Sequence, residues 1–202
     1  TWKCVMQTPI GERKTTLALA AGPRFFGDGW QTAKKLGTRR FWRVPVMDGE
    51  FVIEDKCGIT TDGVGGGNLL MLGRDRAGLL EAAEAAVAAI AKVDDVITPF
   101  PGGIVRSGSK VGSKYKGAIA STNDAFCPTL KGAVATECSP DTVAVLEIVI
   151  DGLTSKAVAD AMRTGLKTLI DIGAAKGVTR VSAGNYGGKL GQHHYHLKDL
   201  LP

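Results

Sequence analysis

VAVLEIVIDGLTSKAVADAMRTGLKTLIDIGAAKGVTRVSAG, residues 143–184, changes its hydrophobic period twice, and that change decides the fold class. VAVLEIVI (143–150) is an apolar run broken only by Glu147, and its length and β-branched content read as a buried strand. Thr154 suits a helix N-cap, because its hydroxyl can accept one of the first unpaired backbone N–H groups. Val158, Ala161, Met162, Gly165, Leu166, Leu169 and Ile170 then recur at helical spacing, until Gly173 or Gly177 stops the helix. VTRVSAG (178–184) returns to a strand pattern.

Upstream the same alternation is repeated. ITTDGVGGGN (59–68) is a breaker and a boundary between two lobes, NLLML after it is a short apolar strand, and AGLLEAAEAAVAAIAK (77–92) is a helix. Its inward stripe reads as Leu79, Leu80, Ala83, Val87 and Ile90. HHYHLK (193–198) reads as a last strand. The order strand, helix, strand-like segment, strand, helix, strand implies an α+β protein with a ferredoxin-like split βαβ lobe. Its two helices should lie on one face of a largely antiparallel sheet. The domain expectation is residues 1–60 as the remainder of an N-terminal, related lobe and 61–202 as the C-terminal ferredoxin-like lobe. Within the former, FWRVPVMDGEFVIE (41–54) reads as a hairpin about Asp48-Gly49, pairing Val46 with Phe51 and Val44 with Ile53, with Pro45 on an edge strand.

The chain has 202 residues, 44% of them hydrophobic and 22% charged, as an ordinary globular protein does. No apolar run approaches the ~20 residues of a membrane helix, and no secretory signal opens the chain. The first residue is Thr1, which suggests a start inside a longer parent. The four cysteines lack metal spacing and read as free thiols of a cytoplasmic protein.

The net charge is +5, from 25 basic and 20 acidic residues, and its distribution says more than its size. Val96 to Asn123 contains no Asp or Glu where about three are expected, yet carries Arg106, Lys110, Lys114 and Lys116. Ile172 to Lys198 is likewise free of acids and holds Lys176, Arg180, Lys189 and Lys198. Two such glycine-rich segments are either solvated basic faces or walls for an anionic partner, nucleic acid or an acidic small molecule.

Few motifs carry chemistry. GVGGG (63–67) precedes a strand and not a helix, so it offers no helix N-terminus to a pyrophosphate, and no P-loop or GxSxG is present. His193, His194 and His196 have no carboxylate or Cys at ligand spacing, so no metal site is expected. Glu147 stands apart. On a strand it shares a face with Val145 and Val149, so it is an edge residue reaching solvent, or else is protonated, hydrogen-bonded or aimed into a cleft.

ITPFPGGIVRSGSKVGSKYK, ASTNDAFCPT, LEIVIDGL, SAGNYGGKLG and RFFGDG with RVPVMDGEFVIED resemble the formylmethanofuran:tetrahydromethanopterin formyltransferases, from about Cys4 to Leu200. The form is similar to the bacterial one, the formyltransferase subunit of a formyltransferase/hydrolase complex. Members of the family are longer, so much of an N-terminal lobe is expected to be missing. The resemblance implies a cytoplasmic homo-oligomer, a tetramer, of two-lobed subunits, with other subunits of the complex as possible partners. It implies reversible formyl transfer between a ring nitrogen of tetrahydromethanopterin and the amine of methanofuran or a bacterial analogue. In bacteria this serves formaldehyde oxidation to formate. Both carriers are substrates with anionic tails, and no tightly bound cofactor is implied. A non-catalytic scaffold homologue and a basic RNA-binding module are the alternatives. The latter lacks the aromatic pattern of RNA-recognition sheets.

On this reading PFPGGIVRSGSK and SAGNYGGKLG are adjoining cleft walls, with Pro101, Gly102 and Gly103 shaping a close backbone approach. Arg106, Lys110 and Lys189 hold anionic tails, and Ser107, Ser109 and Asn185 supply neutral hydrogen bonds. Glu147 is the expected catalytic carboxyl, kept protonated by desolvation so that it can donate to a developing oxyanion or shuttle a proton.

Overall fold

The computed structural model describes residues 16–58, 63–184 and 191–201. They fall into two compact units, one within Lys3–Asp62 and one within Gly63–Pro202.

The smaller unit holds β1 (Thr16–Leu17), β2 (Thr32–Leu36), β3 (Arg39–Val46), β4 (Gly49–Glu54) and β5 (Cys57–Gly58). β2, β3 and β4 form an antiparallel meander, and β1 pairs with β5. The hairpin register differs from the expected one by two residues: Val46 faces Gly49, Val44 faces Phe51 and Trp42 faces Ile53. Gly49 takes φ +116° as the first residue after the turn, so Met47 and Asp48 form the loop. An even shift leaves Val44, Val46, Phe51 and Ile53 on one face as expected. Pro45 lies in the middle strand, not an edge strand, but beyond Arg43, the last residue of β3 facing β2 at this end. Its missing N–H therefore interrupts no pairing with β2. Glu54 is buried beneath a two-pronged bond from Arg39, at 2.9 and 2.7 Å.

The larger unit contains β6 (Val64–Gly73), α1 (Arg76–Ile90), β7 (Val96–Ile97), β8 (Ser109–Val111), β9 (Ala120–Thr122), β10 (Ala144–Gly152), α2 (Ser155–Gly173), β11 (Val178–Ser182) and α3 (Leu197–Leu200). The main sheet runs β11-β6-β10-β7 with every pair antiparallel, and β8 and β9 form a separate hairpin. The protein is thus α+β, as its alternating periods imply. One core joins Leu69 and Met71 of β6, Leu146, Ile148 and Ile150 of β10, Leu79, Ala83 and Ile90 of α1, and Val158, Met162, Leu166 and Leu169 of α2. Since both helices pack on the same alternate residues of β6 and β10, both lie on one sheet face. Burying each of the larger side chains contributes about 1.5–3 kcal/mol.

The other sheet face carries Asn68 and Leu70 from β6, and Val145, Glu147 and Val149 from β10. Three details depart from expectation. β6 begins at Val64, so the glycine run belongs to the strand; Gly67 lies so close to Val158 of α2 that a Cβ would overlap it. Leu80 and Ile170 are exposed, because the neighbouring Leu79 and Leu169 take the inward positions. HHYHLK is not a strand: the three histidines are exposed, and α3 follows His196. Leu200 at one turn from Leu197 anchors that helix in the core, and the Tyr195 hydroxyl meets Ser155 Oγ at 3.0 Å. Among the described residues no helix is long and apolar enough to cross a membrane, and no cluster of His, Cys, Asp or Glu could hold a metal.

Candidate active site

β7 covers only the far end of β10, with Ile97 opposite Asp151 and Val96 opposite Gly152. The chain then leaves the sheet through a 3-10 turn at Pro101–Gly103, where Gly103 packs on Val87 of α1. It returns at Val105, which bonds the backbone of Glu147 in both directions: Val105 N–H donates to Glu147 O at 2.7 Å, and Glu147 N–H to Val105 O at 3.0 Å. The edge of the sheet beside Glu147 is therefore filled by the segment that continues into Arg106, Ser107 and Gly108.

A cleft of about 130 Å³ opens here. Leu70, Val145 and Glu147 lie on its sheet side; Arg106 and Ser107 line one wall, and Phe126, Cys127 and Thr129 another. The second wall comes from two short 3-10 turns, Asp124–Phe126 and Pro128–Leu130. It is held by Lys131, whose ammonium donates to the carbonyls of Ser139, Pro140 and Thr142 at 3.2, 2.8 and 2.8 Å. Ala125 O accepts from Glu137 N–H at 2.8 Å and from Thr136 Oγ1 at 3.1 Å, closing the same loop.

Glu147 is only 7% exposed. Burial pushes its carboxyl pKa up, and a hydrogen bond donated by Asn68 Nδ2 to Oε1, at 2.8 Å, opposes that rise. Asn68 sits diagonally across the strand pair, since Leu70 faces Glu147 and Asn68 faces Val149. The Asn68 Oδ1 atom in turn accepts the Gly184 N–H at 2.8 Å. Asp151, further along β10, is also pushed up by burial, against a bond from Gly66 N–H. A buried carboxyl of raised pKa, at a cleft beside a guanidinium and a hydroxyl, can when protonated donate a hydrogen bond or a proton to a reacting oxygen or nitrogen. The Cys127 thiol has no histidine among its cleft neighbours, so it lacks the base of a nucleophilic pair.

Of the residues singled out from sequence, Glu147, Arg106 and Ser107 meet in this cleft. Ser109 and Lys110 lie just beyond it on β8, where Lys110 Nζ bonds Asp124 Oδ1 at 2.5 Å and holds that carboxyl below its ordinary pKa. Pro101, Gly102 and Gly103 form the turn against α1 and are not among the cleft-lining residues. Asn185 and Lys189 lie outside the described residues. Sequence reasoning missed Asn68, Phe126, Cys127 and Thr129. Asn68 had a signal, a lone amide at the head of an apolar strand; the 3-10 turns have no period to betray them.

The family profile described as FTR, proximal lobe, matches residues 49–200. A formylmethanofuran–tetrahydromethanopterin formyltransferase of Methylobacillus flagellatus is 55% identical over 93% of this chain and 62% of its own length. That of Methylococcus capsulatus is 54% identical over 98% of this chain and 68% of its own. The crystal structure of the formyltransferase/hydrolase complex FhcABCD from Methylorubrum extorquens, with methylofuran, contains a chain 56% identical to this one. It superposes with a TM-score of 0.72, covering 95% of this chain and 64% of that one. The chain thus spans 62% and 68% of the lengths of these two formyltransferases and 56% of that of another, from Rhodopirellula baltica. With the profile spanning most of the sequence and more than half the residues shared, this chain belongs to the formylmethanofuran–tetrahydromethanopterin formyltransferase family.

Proposed function

We propose that this protein is a formyltransferase that moves a formyl group reversibly between tetrahydromethanopterin and methanofuran or a bacterial furan analogue, with Glu147 as its acid. The observation that carries this reading is the buried Glu147 carboxyl at the cleft, raised in pKa and with Oε1 already engaged by Asn68.

The reaction needs no enzyme nucleophile. The amine nitrogen of the accepting carrier attacks the formyl carbon of the donor; a C–N bond forms and the carbonyl electron pair moves to oxygen. The resulting oxyanion is the species to stabilise, and a neutral carboxyl donates to it where a carboxylate would repel it. Collapse reforms the carbonyl and expels the donor nitrogen, which takes a proton as the attacking nitrogen loses one. On this reading Glu147 relays that proton. The cleft formed by the described residues, about 130 Å³, receives the reacting ends of the carriers. Their anionic tails then run past Arg106, with Ser107 bonding neutral groups. Lys110 joins only by competing with Asp124, and Asn185 and Lys189 stay candidates on the ground of the sequence resemblance alone.

The strand order β11-β6-β10-β7, with both helices on one face, supports reading residues 61–202 as a ferredoxin-like split βαβ lobe and residues 1–60 as part of a related one. The protein works as a homo-oligomer, a tetramer, beside other subunits of a formyltransferase/hydrolase complex. It uses no tightly bound cofactor and acts in the cytoplasm on formaldehyde-derived carbon. Three free thiols among the described residues suit that compartment.

The test is to mix the protein with N-formyl-tetrahydromethanopterin and the furan carrier and follow formylated furan. Turnover proportional to protein supports the proposal. Binding of both carriers without turnover gives the scaffold reading instead.

A further inference from the structure

We infer that Asn68 is a positioning residue that assigns the transferable proton of Glu147 to Oε2 and ties that carboxyl to the backbone of Gly184, just past β11. The inference rests on Glu147 being the acid of the proposed transfer, but its geometry stands by itself. A backbone N–H only donates, so the Asn68 atom that Gly184 meets at 2.8 Å must be the carbonyl oxygen. The other end of the amide, the NH2, is thereby turned to Glu147 at 2.8 Å. An NH2 cannot accept a hydrogen bond, so the Glu147 oxygen facing it, Oε1, has to be the acceptor. In a neutral carboxyl the carbonyl oxygen is the stronger acceptor, so Oε1 takes that role and the proton is favoured on Oε2, the oxygen with no described partner.

The amide is locked at both ends on a residue only 6% exposed, so rotation by 180° would set the NH2 against the Gly184 N–H and the carbonyl against Glu147. One contact would pair two donors, and the carboxyl would have to turn its proton away from the cleft to satisfy the other. Asn68 also connects β6, β10 and the end of β11 on the sheet face opposite the helices. Among the described residues, the charged or titratable groups that line the cleft with this carboxyl are Arg106 and Cys127, while Asp151 further along β10 is engaged by Gly66 N–H and Arg180 of β11 by Glu137. β6 contributes Asn68, Leu70 and Leu72 here and no charge.

Two substitutions separate positioning from packing. Asn68→Ala removes the donor, so Glu147 titrates at higher pH than in the parent, and kcat falls about tenfold, as for one buried hydrogen bond, with KM near the parent value. Asn68→Asp keeps the shape and the acceptor for Gly184 but sets a second carboxyl against Glu147. Its kcat falls further, because the proton becomes shared between the two carboxyls and leaves the cleft. The deciding readout is carbon NMR of the protein with labelled glutamate side chains, which follows the Glu147 carboxyl through pH without any turnover. An upward move of its titration in Asn68→Ala, with loss of the Gly184 amide's downfield shift in the same variant, supports the inference. An unmoved Glu147 titration overturns it, whatever the activity. If Asn68→Ala does not fold, Asn68→Asp decides in its place: an unmoved Glu147 titration there overturns the inference too. A parent that moves no formyl group yet shows the shift would refute the proposed function and leave the positioning of the carboxyl standing.

Discussion

Glu147 sets a local conflict between strand and charge, and that conflict has a thermodynamic signature. Burial raises its pKa in the folded state above the ordinary value of about 4.3 in the unfolded chain. Between those two values the folded protein holds a proton that the unfolded chain has released. Stability from this group is therefore complete below about pH 4 and is lost as pH rises through the folded pKa. Glu147→Gln keeps the shape and an acceptor for Asn68 but cannot ionise. The Gln variant should melt above the parent at pH 8, with the difference closing in acid; thermal unfolding from pH 3.5 to pH 8 measures it. A constant difference across that range would contradict a raised carboxyl. Glu147 was legible in the sequence because a carboxyl interrupts an apolar run, whereas the weaker signal of its partner was masked, because Asn68 follows a glycine run that reads as a loop although it belongs to β6. Alternation alone cannot show that the two polar residues lie on adjacent strands and meet on a diagonal.

At the scale of elements, both long helices were readable because their inward positions recur at 3.6-residue spacing, and each carries a side-chain cap, Asp75 on α1 and Thr154 on α2. Thr154 accepts the Ala157 N–H at 3.1 Å, at the start of the helix whose inner face fills the core under β10. Thr154→Ala should cost about 1 kcal/mol in denaturant unfolding, with formyl transfer at the parent level. A loss above about 3 kcal/mol would show that the cap also holds the β10–α2 turn. β2, β8 and β9 were not legible. TAKKL is exposed at every position, and SKV and AST are three-residue polar strands with no apolar face to set their register. The hairpin around Met47 and Asp48 shows the same limit, since the hydrophobic pattern fixed its face while turn geometry fixed its register. At the C-terminus, alternation around three histidines imitated a strand, but a buried leucine one turn on made a helix.

Across the whole molecule, the two acid-free windows proved less bare than their sequence. Acids outside the windows supply partners to cations within them: Asp124 to Lys110, Glu81 to Lys176 and Glu137 to Arg180. A count along the chain cannot see such pairs. Arg106 is different, because it lines the cleft and no carboxylate meets it among the described residues. KM for either carrier should therefore rise between about 0.05 and 0.5 M salt, where the Debye length shrinks from roughly 14 to 4 Å. Arg106→Ala should flatten that rise, and Lys176→Ala should leave it. A salt-independent KM in the parent would remove electrostatics from carrier binding. What the windows do share is their approach to Glu147, through Val105 on one side and through Gly184 and Asn68 on the other. The central claim is that this one carboxyl supplies the donor for formyl transfer, and the kcat of Glu147→Leu tests it most directly. Measured on protein that melts cooperatively and binds both carriers as the parent does, kcat should fall on the order of 10²–10³-fold, the cost of one lost oxyanion donor. A kcat within about threefold of the parent would contradict it.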